Sequence, residues 1–63
     1  MVTELMKYHI EKSVREALGV LNGSAGSAIQ IYINLTHRVP SQKTKQLIRR
    51  AYQKAEVADA AGR

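Results

Sequence analysis

The chain has 63 residues, no cysteine, two histidines and a formal net charge of +5. A chain of this size buries only about 60% of the surface that its unfolded form exposes, so it is near the lower limit for independent folding. The lack of cysteine excludes disulfides and thiolate metal sites, and no carboxylate cluster accompanies the histidines. We therefore predict one small domain, 1–63, with no metal and no cofactor, that gains stability from a second subunit.

Residues 3–21 have the spacing of an amphipathic helix, with Thr3 as its N-cap and Asn22-Gly23 as its stop signal. His9 lies at the edge of the apolar stripe and Tyr8 points away from it. We therefore expect a half-buried histidine and an exposed tyrosine. The side chains expected to face the core are Val2, Met6, Ile10, Val14, Ala17, Leu18, Val20 and Leu21.

Residues 22–28 are small and glycine-rich, which predicts a flexible linker. From residue 28 to residue 36, apolar and polar side chains then alternate strictly, as in a half-buried strand. One face carries Ile29, Ile31, Ile33 and Leu35, and the other carries Gln30, Tyr32, Asn34 and Thr36.

A lone strand leaves backbone N–H and C=O groups unpaired on both edges, so we expect another chain to pair with it. The predicted fold class is therefore α+β. Each protomer would be helix-strand-helix, and two protomers would form a homodimer through an intermolecular two-stranded antiparallel ribbon packed against the helices. The predicted dimer interface consists of Ile29, Ile31, Ile33 and Leu35.

A second helix is predicted from about residue 42 to residue 58. Pro40 biases Val39 toward an extended conformation, and Ser41 is a suitable N-cap. The apolar side of this helix is rich in alanine and buries little area per turn. Its members are Thr44, Leu47, Ile48, Ala51, Ala55 and Ala58.

The positive charge is concentrated in residues 37–54, which contain six basic side chains and no acidic one. Such a run is typical of a surface that binds the phosphates of DNA or RNA, although a solvated helix face has the same composition. Ser41, at a helix N-terminus, adds free N–H groups that suit a phosphate. The basic residues are Arg38, Lys43, Lys45, Arg49, Arg50 and Lys54.

The polar face of the predicted strand would read bases, because amides and hydroxyls bond to base edges and a two-stranded ribbon fits the major groove. Gln30, Tyr32 and Asn34 are the side chains expected to do so. From Ile29 to about Val57, the sequence resembles the opening of ribbon-helix-helix repressors. It departs from them because a long helix precedes the strand and too little chain follows Val57 for another helix.

The sequence thus predicts a basic nucleic-acid-binding module, most simply a dimeric regulator of transcription. The alternative is a protein-binding adaptor or inhibitor that docks through its strand or an exposed helix face. The five acidic residues lie on separate helical turns and no serine has a His-Asp constellation, so we do not expect an enzyme. No apolar run is long enough for a membrane span, and the start carries no signal-peptide core, which predicts a cytoplasmic protein.

Overall fold

Three α-helices account for the regular structure within residues 3–61. The computed structural model describes the backbone of residues 3–61 and the side chains of residues 3–59. The helices are α1 (Glu4–Leu18), α2 (Ala25–Thr36) and α3 (Gln42–Ala61), and residues 3–61 contain no strand. The predicted α+β class, with its intermolecular ribbon, is therefore wrong. None of the three helices is long and apolar enough to cross a membrane.

Helix α1 begins where the sequence predicts, but it ends about one turn before the predicted end at residue 21. The Oγ1 atom of Thr3 accepts a hydrogen bond from the backbone N–H of Met6 at 3.1 Å, so the predicted N-cap is confirmed. The helix stops at Leu18 with Gly19 as its C-cap, because glycine weakens the last turn. Leu21 is 89% exposed and Val20 is also exposed. The expectation that these two side chains face the core is therefore wrong. The expectation for Val2 lies outside the described residues.

Helix α2 occupies most of the segment predicted to be linker and strand. Its start is a capping box, in which the Oγ of Ser24 accepts the N–H of Ser27 at 3.4 Å and the Oγ of Ser27 accepts the N–H of Ser24 at 3.2 Å. The helix ends at Thr36, and the N–H of His37, in the left-handed conformation, donates to the carbonyl of Ile33 at 2.7 Å. A helix satisfies its backbone groups within one segment, so no second chain is needed to pair with it.

The buried residues of α2 have the spacing of a helix, and not the spacing of two residues that the alternating apolar and polar side chains suggested. Ala28 and Tyr32, four residues apart, are buried. Of the four residues predicted to pack inside a dimeric ribbon, Ile29 and Ile31 instead pack against the core of their own chain. The other two, Ile33 and Leu35, are half-buried on α2. The predicted ribbon interface is therefore not formed. A dimer was expected because a lone strand needs a partner strand, and that argument no longer applies.

All three helices contribute to one core, in which α3 provides a residue that the sequence pattern did not indicate. Tyr52 is buried, and its hydroxyl donates a hydrogen bond of 2.9 Å to the carbonyl oxygen of Gly23 in the α1–α2 loop. Ala58, expected on the apolar side, is exposed. The buried apolar residues are Ile10, Val14, Ala17, Ala28, Tyr32, Ile48 and Tyr52.

We expect Gly23→Ala to destabilise the protein by about 2 kcal/mol or more, because a Cβ at this position would overlap the carbonyl oxygen of Ala17. Gly26→Ala is the matched control. Its Cβ would meet only the Oγ of Ser24 at 3.4 Å, and alanine in a helix is favoured over glycine by about 0.5–1 kcal/mol. Urea unfolding followed by circular dichroism measures both changes. Equal stability of the two variants would contradict the close approach at Gly23.

Candidate nucleic-acid interface

The predicted basic residues lie together on the α2–α3 loop and α3. Lys45 is half-buried and the other five are exposed. Among the side chains of residues 3–59, no ion pair joins any of these six cations to a carboxylate. Their charge is therefore available to an external anion. The six are Arg38, Lys43, Lys45, Arg49, Arg50 and Lys54.

The basic side chains of α3 form two rows along the helix, one on each side of its most exposed line. At 3.6 residues per turn, one row contains Lys43, Arg50 and Lys54, and the other contains Lys45 and Arg49. The row-to-row gap is filled by Gln46 and Gln53, which are both exposed and face away from the buried Thr44, Ile48 and Tyr52. At a rise of 1.5 Å per residue, the basic part of α3 is about 16 Å long.

The N-terminus of α3 lies within the same basic segment. The Oγ of Ser41 accepts a hydrogen bond from the backbone N–H of Thr44 at 3.3 Å, and it also lies 3.2 Å from the Oγ1 of Thr44. Ser41 therefore caps the helix as predicted. The carbonyl of Ser41 accepts the N–H of Lys45 at 2.9 Å. The backbone N–H groups of Gln42 and Lys43 have no partner within residues 3–61, which leaves two donors at the positive end of the helix dipole.

The residues predicted to read bases are not part of this surface. Tyr32 is only 6% exposed, and its ring belongs to the core rather than to the surface that carries the basic rows. Gln30 and Asn34 are exposed on α2, on the side opposite to Tyr32, and the amide Nε2 of Gln30 donates to the Oδ1 of Asn34 at 3.3 Å. The structure places them on a different helix from the basic rows.

The structure also contains a groove that the sequence did not reveal. It has a volume of about 410 Å³ and lies where the start of α1 and the end of α2 meet the α2–α3 loop. Its lining includes Leu5, Met6, His9, Tyr32, Arg38 and Val39. These residues come from distant parts of the sequence, so no local pattern predicts the groove. The one hint in the sequence is the position of His9 at the edge of the apolar stripe of α1. His9 is half-buried as predicted, and its Nδ1 atom is buried without a hydrogen-bond partner in the described part of the chain.

Two further findings bear on function. No cluster of three or more histidine, cysteine or acidic residues that could hold a metal ion occurs in the part of the chain that the structure describes. Comparison with protein-family models, with curated proteins and with solved structures gave no match for this chain.

We expect Ser41→Ala to lower the free energy of unfolding by about 1 kcal/mol, because the N–H of Thr44 loses its acceptor. Ser41→Asp keeps a good N-cap and should leave stability within about 0.5 kcal/mol of the original protein. The aspartate also puts a negative charge beside the free N–H groups of Gln42 and Lys43, so binding of duplex DNA should weaken. Thermal unfolding and a DNA titration of both variants separate these effects. Unchanged DNA affinity of Ser41→Asp would show that no phosphate lies at this helix end.

Proposed function

We propose that this protein binds nucleic acid through α3, most simply as a small DNA-binding regulator of transcription. The observation that carries the proposal is the set of cations along this helix, none of which is paired with a carboxylate among residues 3–59. A lysine or arginine that meets a phosphate releases condensed counterions, which supplies sequence-independent affinity. Residues 37–54 contain no acidic side chain that would repel the phosphates.

The two-row arrangement of charge supports duplex DNA as the partner. An α-helix with its side chains is about 10–12 Å across, and the major groove is about 12 Å wide. A helix in that groove has a phosphate strand on each side, and α3 presents Arg50 and Lys54 to one side and Lys45 and Arg49 to the other. The outermost line of the helix then faces the bases.

Gln46 and Gln53 lie on that outermost line and have the chemistry of direct readout. A glutamine amide offers one donor and one acceptor, the pair that matches the N7 and N6 atoms of adenine. The cations position the helix without distinguishing sequences, whereas the amides provide contacts that depend on sequence. We therefore assign base recognition to these two residues and phosphate binding to the basic rows.

The alternative, an adaptor that donates a strand to another protein, has lost its basis because residues 28–36 are part of α2 rather than a strand. Docking of a protein on an exposed helix face remains the competing function. Light scattering and a titration with duplex DNA separate the possibilities, and they also test whether two copies associate. A function on nucleic acid agrees with a cytoplasmic location, which remains a proposal here.

We expect the double change Arg49→Gln and Arg50→Gln to weaken DNA binding to a similar degree on all sequences. Each phosphate contact contributes about 0.9 to the slope of log affinity against log salt, so losing two should flatten that slope by about 1.8. Fluorescence anisotropy with a labelled duplex, repeated at several salt concentrations, measures both quantities.

The control is the double change Lys7→Gln and Lys12→Gln on α1, which removes the same charge from two exposed residues outside α3. This control should retain most of the affinity and the salt slope. Equal losses in the two double variants would show that net charge, and not the surface of α3, determines binding. Full affinity after the change at Arg49 and Arg50 would exclude α3 as the binding helix.

A further inference from the structure

The hydroxyl of Tyr32 has no hydrogen-bond partner among residues 3–61, and it is accessible to solvent although the rest of the side chain is buried. The residue as a whole is 6% exposed. The other buried tyrosine, Tyr52, follows the usual pattern, because its hydroxyl is bonded to the Gly23 carbonyl at 2.9 Å. The Tyr32 hydroxyl is not sealed from the surface, and Tyr32 lines the groove between α1, α2 and the α2–α3 loop. It therefore offers a hydrogen bond to whatever enters the groove.

The walls of this groove are mainly apolar and lie open. Leu5 at the start of α1 is 64% exposed, and Val39 in the loop is 75% exposed, although both are large apolar side chains. Met6 and Pro40 extend the apolar lining beneath them. The groove volume of about 410 Å³ falls within the range of about 300–1,000 Å³ that is usual for small-molecule sites. Covering exposed apolar walls of this kind with an apolar ligand lowers the free energy of the complex, because apolar surface is removed from water.

The polar groups of the groove indicate the charge of its ligand. Arg38 is exposed at the edge, lacks a carboxylate partner among residues 3–59, and presents a planar fork of donors that matches a carboxylate. Among the side chains of residues 3–59, no acidic one lines the groove. We propose that this groove binds a small organic acid with an apolar body, whose carboxylate meets Arg38 and Tyr32 and whose body covers Leu5, Met6 and Val39.

A second copy of the chain fits the groove less well than such an acid. Each copy carries a net charge of +5, so association would bring two positive molecules together, whereas an organic acid brings the complementary charge. The inference does not depend on the proposed DNA binding, because the ligand is bound directly in the absence of nucleic acid.

The test is a titration of the ¹⁵N-labelled protein with octanoate, kept below its micelle concentration, followed by amide chemical shifts. Saturable shifts should centre on Leu5, His9, Tyr32 and Val39. Octanamide has the same body without the charge, and acetate has the charge without the body, so both should bind at least tenfold more weakly. Octanoate shifts that are absent, do not saturate or centre on the basic rows of α3 would overturn the proposal.

Two pairs of variants test the polar contacts. Tyr32→Phe keeps the buried ring and should raise the dissociation constant for octanoate about three- to tenfold, whereas Tyr8→Phe, outside the groove, should leave it unchanged. Arg38→Gln, at an exposed position, should raise the dissociation constant about tenfold or more, and Lys12→Gln is its matched control. Equal affinities within each pair would refute the assigned contacts. Amide shifts at the groove that depend on protein concentration without octanoate would show that a second copy occupies it.

Discussion

The close passage of Gly23 against the end of α1 is the constraint on which the remaining structure depends. The absence of a side chain lets the backbone of this residue approach the carbonyl of Ala17, so the chain reverses direction within a few residues of Leu18. The Tyr52 hydroxyl then bonds to the carbonyl of Gly23. Among the side-chain hydrogen bonds of residues 3–59, this is the one that joins distant parts of the chain, because the others link residues no more than four apart. It ties the α1–α2 loop to α3 and thereby orients the helix that carries the basic rows.

The left-handed residue His37 has a comparable role at the other end of α2. It ends that helix at a φ of 56°, and the chain then runs through Arg38 and Val39 to the cap of α3. Arg38 is consequently shared between the basic segment and the groove. If both proposals hold, an organic acid bound in the groove occupies Arg38, which is then no longer free to bind a phosphate of DNA. The organic acid and DNA therefore weaken each other's binding. Thermodynamic linkage makes that opposition reciprocal, since each ligand weakens the binding of the other by the same factor.

The sequence predicted the features that depend on local signals and failed where a tertiary contact decided. The cap at Thr3, the cap at Ser41 and the exposure of five of the six cations were all readable, because each depends on residues within a turn or two. The segment 28–36 was misread because its alternation of isoleucines has the period of a strand, whereas the capping box of Ser24 and Ser27 sets a helix that buries Ala28 and Tyr32. The groove could not be predicted at all, since its walls come from three separate parts of the chain.

The same alternation has a cost in any molecule that has lost its native packing. Residues 28–36 contain no charge and no proline, and isoleucine and tyrosine favour extended backbone. Uncharged segments of this kind stack into cross-β fibrils when they become accessible. The capping box at Ser24 and the closure at His37 therefore do more than delimit a helix, because they hold a segment with the composition of cross-β sequences in a conformation whose backbone groups are already paired. The exposure of this segment is consequently limited by how rarely α2 opens.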